Sequence, residues 1–260
     1  MNQEDVAKEI IAKSGNSFHA RVARWFQDSG WEVLISPYYM DQSQNKAREV
    51  DLIAEKIVPI KDFADRWQGS VVIRLYIECK FVVSTSVFWF TEKDVKLAEQ
   101  LVCRGGGFRK DNTYTNEHHY LSSSVSVAKL FATSSKAPEH DPFYKALNQV
   151  LNAYVNMLGR PPITSVLREN NHGSRVYLNF PLVVCSDFAK LFRTEFYENT
   201  EPTLITDNFQ LEVQYAYTDK SGGARDDYFL IDVVSYDGLL TFCEKVTRDA
   251  EVSAYLSSNR

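Results

Sequence analysis

No apolar run in this 260-residue chain approaches the roughly 20 residues that a membrane-spanning helix needs. The first residues, Met1-Asn2-Gln3-Glu4-Asp5, are acidic and carry no apolar signal core, so the expectation is a cytoplasmic protein without a membrane partner. Cysteine is scarce. Cys79, Cys103, Cys185 and Cys243 stand apart, without the paired spacing of a zinc site or a disulfide framework, and read as reduced thiols. Basic excess is missing as well: 29 Lys and Arg face 34 Asp and Glu, a net charge of −5. That excludes a broad basic surface, so a nucleic-acid partner would have to be met by a local basic patch, a bound cation or a second protein. Gly105-Gly106-Gly107 is not followed by Gly-Lys-Ser/Thr and is therefore no phosphate loop. Internal repeats and low-complexity linkers are absent too. What remains has the apolar content of a globular protein, and a single α/β domain over 1–260 is the simplest account.

Along the chain, apolar spacing predicts a helix over 4–29 broken at Gly15, with Asn16 or Ser17 capping the second piece and Gly30 ending it. Strands are predicted from Trp31 to Tyr39, around Glu49 to Glu55, and from Val71 to Val83. Met40 to Ala47 reads as a loop and 57–69 as a connector. Thr91, with Asp94 three residues on, is expected to cap a helix running to Cys103, and 104–120 to form a mobile excursion. His118 and His119 are adjacent, would diverge on a regular element, and make an unfavourable pair of metal ligands. A short strand is expected over 125–131, then a helix from Pro142 to Leu158 ended by Gly159, and a strand over 176–185. Beyond that come a short helix at 187–196, a hairpin of 209–218 with 228–234, and a closing helix over 236–256.

The unusual charges lie in two of these strands. Asp51 interrupts Arg48-Glu49-Val50-Asp51-Leu52-Ile53-Ala54, and Glu78 and Lys80 follow Leu75-Tyr76-Ile77. Ionised groups are rarely buried unless paired or bound to a metal. Glu78 and Lys80 share a strand face because they are two apart. If the strands pair, two carboxylates and an ammonium meet, which suits a hard cation. The competing reading of each charge taken alone is a solvated face or a strand end.

Residues 14–81 resemble the PD-(D/E)xK, or restriction-endonuclease-like, nucleases, nearest to the archaeal Holliday-junction resolvase and Mrr-type branch. The likeness rests on a helix opening on glycine (Gly15 to Phe26), on Val50-Asp51-Leu52-Ile53-Ala54, and on Ile77-Glu78-Cys79-Lys80. It implies a restriction-endonuclease-like mixed β-sheet flanked by helices. The helix and fourth core strand would fall in 142–185, after an insertion at 91–135, and 187–256 would be a C-terminal elaboration. By resemblance, Asp51, Glu78 and the Cys79 carbonyl would hold Mg²⁺ or Mn²⁺, and Lys80 would be the catalytic lysine. Many members place glutamate on the first helix where this chain has His19, and a glutamine on a later helix, for which Gln149 is the candidate.

The activity so implied is metal-dependent phosphodiester hydrolysis, most simply by a DNA endonuclease of a bacterial anti-phage defence or DNA-processing system. Arg21, Arg24, Lys46 and Arg48 are candidates for holding the flanking phosphates, each with a solvated face as its alternative. The family suggests a homodimer or a partner protein. The alternative is a catalytically inactive relative that binds nucleic acid or scaffolds a partner, a reading favoured by His19 and by the negative net charge.

Overall fold

The structure is a computed structural model that describes residues 2–13, 15–110, 112–134, 142–163, 173–197, 200–219 and 221–258. Two helices open it, α1 (Gln3–Lys13) and α2 (Asn16–Asp28). Gly15 stands at the α2 N-cap with no side-chain hydrogen bond, so neither Asn16 nor Ser17 caps it. Gly30 leaves the helix at φ +77°, a conformation open to glycine at little cost.

The expected strand from Trp31 to Tyr39 is two. β1 (Glu32–Ile35) ends where Ser36 takes φ +51° before Pro37. The chain then turns into β2 (Tyr38–Asp41), which pairs antiparallel with β3 (Lys46–Glu49). The expected loop is thus largely a hairpin, held at its tip by Asp41, which accepts from Ser43 and Arg48. β4 (Leu52–Lys61) and β5 (Trp67–Lys80) run through the expected connector, leaving a short turn around Asp62. Pro59 is accommodated because β1 pairs only with the first residues of β4. The missing N–H therefore faces an open edge.

β6 (Ser86–Glu92) runs through Thr91, so the next helix, α3 (Val95–Cys103), is capped by Asp94, whose carboxylate accepts from the Leu97 N–H. The expected excursion folds into α4 (Thr113–Asn116) and α5 (His119–Ser122), with His118 and His119 buried. β7 (Ser126–Thr133), α6 (Pro142–Met157) and β8 (Ser174–Cys185) follow much as expected. The segment read as a short helix contains β9 (Leu191–Glu195) instead, recruited by parallel pairing with β6. β10 (Thr203–Leu204), the hairpin β11 (Phe209–Thr218) and β12 (Ala224–Ser235), and α7 (Leu239–Ser258) complete the chain.

Ten strands form one mixed sheet in the order β1-β4-β5-β8-β12-β11-β7-β6-β9-β10. β1, β4 and β5 are successively antiparallel, whereas β8 runs parallel to β5 along its whole length. Each sheet face buries its own core. On one, Leu52, Ala54, Ile73, Leu75 and Ile77 meet Phe18, Val22 and Phe26 of α2 and Phe242, Val246 and Ala250 of α7. On the other, Ile53, Tyr76 and Val183 meet Phe143, Leu147, Val150 and Leu151 of α6. The fold is α/β, with a large mixed sheet flanked by helices. Among the described residues no helix is long and apolar enough to cross a membrane.

Candidate metal centre

The antiparallel register pairs Leu52 with Ile77, so the next position outward sets Asp51 against Glu78. The Asp51 carboxylate reaches across and accepts the Cys79 N–H at 2.7 Å. Two residues past Glu78, on the same face, Lys80 Nζ donates to Glu78 Oε2 at 3.2 Å. Asp51, Glu78, Cys79 and Lys80 therefore gather at the C-terminal end of β5, beside the parallel end of β8. There the Ser186 N–H donates to the Lys80 carbonyl.

Glu78 is 1% exposed. Burial is the main force raising its carboxyl to about 8, the Asp51 charge adds to it, and Lys80 opposes it. Its second oxygen, Oε1, is buried with no hydrogen-bond partner. A buried acceptor without a donor is costly, and a cation is one way to satisfy it. Two carboxylates offer the hard oxygen ligands that Mg²⁺ or Mn²⁺ takes, so the residues fit the implied ion.

His19 lies near the start of α2, half-buried, with Nε2 2.8 Å from the Asp51 carbonyl oxygen. The remainder of α2 packs on the sheet face opposite to Glu78. Gln149 sits on α6, over the Glu78 face. Its side-chain Oε1 is buried without a partner, and its backbone carbonyl accepts from the Tyr39 hydroxyl at 3.4 Å. Tyr39 packs in the same buried cluster as Val50, Tyr76 and Val150, so this turn of α6 and the hairpin meet on the sheet face that carries Glu78.

The basic candidates are divided between two elements, Arg21 and Arg24 on α2 and Lys46 and Arg48 on β3. Arg21 is exposed, with its guanidinium over the Tyr236 ring at 4.2 Å. Arg24 is exposed further along α2, and Lys46 is exposed on β3. Arg48 is committed elsewhere: Nε donates to the buried Asp41 at 2.6 Å and Nη2 to Gln44.

Two buried charge clusters escaped the sequence reading. Glu55 and Arg74 are cross-strand partners on β4 and β5, and both are buried. Arg74 also donates to the carbonyls of Arg160 and Pro161, and Glu55 accepts the Ile163 N–H, so the pair fastens the chain leaving α6. An arginine midway through Val71-Val72-Ile73-Arg74-Leu75 was the signal available. The second cluster joins His118 and His119 to Asp249 of α7, with ligand atoms all within 4.8 Å of one another. His119 is hydrogen-bonded through Nδ1 to Asp249 and through Nε2 to Asp232. His118 Nδ1 accepts the Tyr120 N–H, which leaves Nε2 to face Asp249. Burial lowers the His118 ring to about 3. For His119 burial is outweighed by Asp249 and Asp232, which raise it to about 9. With His119 charged and His118 neutral, every ring nitrogen has a partner. This donor set is satisfied by protons, unlike that of Glu78.

Comparison of the chain with protein-family models, with curated proteins and with solved structures finds no match.

Proposed function

We propose that the protein is a metal-dependent phosphodiesterase of the restriction-endonuclease-like fold, acting on nucleic acid, with DNA as the first substrate to test. The observation that carries the reading is the meeting of Asp51, Glu78 and Lys80 at one strand end, with Glu78 Oε1 buried and lacking a donor. The strand arrangement supports it. The helix over 142–157 leads into a strand parallel and adjacent to the third core strand, as the resemblance requires. In this reading β1, β4, β5 and β8 are the core, and β7 and the strands from β9 to β12 belong to the insertion and the C-terminal elaboration.

Asp51 and Glu78 would hold Mg²⁺ or Mn²⁺, with the Cys79 carbonyl as a further oxygen. The ion would polarise the phosphate and acidify a water. Lys80 supplies a positive charge beside the carboxylates, where it can stabilise negative charge growing on the phosphate oxygens. Gln149 would position groups above the carboxylates from α6. Arg21, Arg24 and Lys46 are left for the polynucleotide backbone; Arg48 would first have to leave Asp41.

The test is cleavage of supercoiled plasmid, single-stranded DNA and RNA with Mg²⁺ or Mn²⁺. Lys80→Ala is expected to lower the rate about 10²–10³-fold, the usual cost of removing one electrostatic stabiliser, while its melting temperature stays near the parent's. Equal rates for parent and Lys80→Ala would end the reading. A second reading, an inactive binding module, is favoured by the His19 ring against the Asp51 carbonyl, where relatives carry a carboxylate. That reading predicts nucleic-acid binding without cleavage under every metal condition.

A further inference from the structure

β8 and β12 are neighbours in the sheet, but they pair only from Leu182–Cys185 to Asp232–Ser235. Upstream, β8 stays on β5 and β12 stays on β11, so the two parallel strands part company. Pro181, the residue just before the shared ladder, has no N–H to extend it. The parted strands open a cavity of about 270 Å³ through the sheet. On the α6 face its wall is aromatic: Tyr154 and Tyr217 both pack on Phe229, with ring centroids at 5.4 and 6.5 Å. On the other face Gly105 and Arg104, at the end of α3, form the exposed mouth. Arg104 is bridged to Asp227, which also accepts from the Tyr217 hydroxyl at 2.7 Å.

Inside this aromatic slot Asn179 Oδ1 is buried and has no hydrogen-bond partner. An unsatisfied amide oxygen in such a place calls for an N–H donor. A carboxamide beside aromatic walls matches the needs of one ligand class. A nucleobase has flat faces that stack on rings and an edge that offers a donor next to an acceptor, which an asparagine amide reads as a pair.

We propose that this slot is a nucleobase-binding site, with the base packed against the aromatic wall, its edge on Asn179, and its sugar at the rim by Asp227 and Arg104. The site is separate from the carboxylates of β4 and β5 and does not depend on the phosphodiesterase reading. A free nucleoside and an unstacked base of a polynucleotide present the same recognition chemistry to it.

The experiment is calorimetric titration of the full chain with adenosine, guanosine, cytidine and uridine, without any cleavage assay. At least one nucleoside is expected to bind, and Asn179→Leu to weaken it about tenfold, the loss of one bidentate base contact. A second variant guards against misfolding at Asn179. A Cβ on Gly105 would meet only the Tyr177 carbonyl, at 3.4 Å, and the glycine is exposed with no positive φ. Gly105→Leu should therefore fold and fill the mouth, and it too should weaken binding. Competition by single-stranded oligonucleotides assigns the base to a polynucleotide, and failure to compete assigns it to free nucleosides. No binding of any nucleoside at millimolar concentration overturns the proposal. So does undiminished binding by Gly105→Leu.

Discussion

Glu78 is held in β5 by neighbours that satisfy one carboxylate oxygen and leave the other buried without a donor. Such a residue weakens the metal-free fold, which is how binding sites commonly trade stability for function. Glu78→Gln removes the acid that burial keeps above its usual range. Without metal, its melting temperature at pH 9 is expected to equal or exceed the parent's. Adding Mn²⁺ should raise the parent's melting temperature and leave that of Glu78→Gln unchanged, because a ligand of the folded state stabilises only the chain that binds it. Thermal melts of both proteins with and without Mn²⁺ decide this, and an equal rise in both would remove Glu78 from the metal site. His19 poses a narrower question. Its ring contacts the Asp51 main chain, so His19→Ala should slow cleavage by disturbing Asp51 without erasing it. Imidazole favours transition metals over Mg²⁺. His19→Glu should therefore shift the rate ratio towards Mg²⁺, and identical metal profiles for parent and both variants would make His19 purely structural.

At the scale of elements, periodicity marked what a strand or helix buries by itself. The apolar stripe of α6 between Pro142 and Gly159 was legible, as were the β-branched runs of β4, β5 and β8. Asp51, Glu78 and Lys80 were legible for the opposite reason: charge where such runs should be apolar. What escaped was decided by partners far along the chain. β9 takes its form from β6, roughly a hundred residues earlier in the chain, and β2 and β3 are short strands paired with each other, with Tyr39 of β2 and Gln42 hydrogen-bonded to α6. Strand preference is largely such context. Arg74 lay in view in an apolar run, but its partner Glu55 became evident only through the register. That pair makes a prediction for β4 and β5. Arg74→Leu leaves Glu55 buried without its counter-charge and should cost about 3–5 kcal/mol, whereas Glu55→Leu with Arg74→Leu should cost much less. Urea unfolding of the single and double variants measures both; additive losses would mean that the charges are not coupled.

Across the whole molecule, α5, β12 and α7 are tied by a buried set of charges: His119 between Asp249 and Asp232, His118 beside Asp249, and Lys93 reaching the Tyr120 carbonyl. Their titrations give stability a definite dependence on pH. His119 is raised to about 9 in the fold, so its pairing contributes fully below its unfolded value near 6.5 and is lost as pH rises through about 9. His118 acts in the opposite direction. Burial lowers it to about 3, so the unfolded chain takes up a proton first, and stability falls as pH drops from about 6.5 towards 3. Lys93, lowered by burial to about 8, favours the fold as pH rises through 8 and beyond, and so opposes His119 in the upper part of its range. Raw stability against pH mixes these terms, but a difference between two proteins isolates one of them. The gap in unfolding free energy between the parent and His119→Gln should be widest near pH 6 and should close as pH rises past 9. The corresponding gap for His118→Gln should change between pH 6.5 and 4, with the parent losing ground as the medium becomes acid. Denaturant unfolding of the three proteins at pH 4, 6, 8 and 9.5 tests both signs. A His119→Gln gap that stays constant from pH 6 to 9.5 would mean that His119 is neutral in the fold. The two aspartates would then lack the cation that allows both to be buried between β12 and α7.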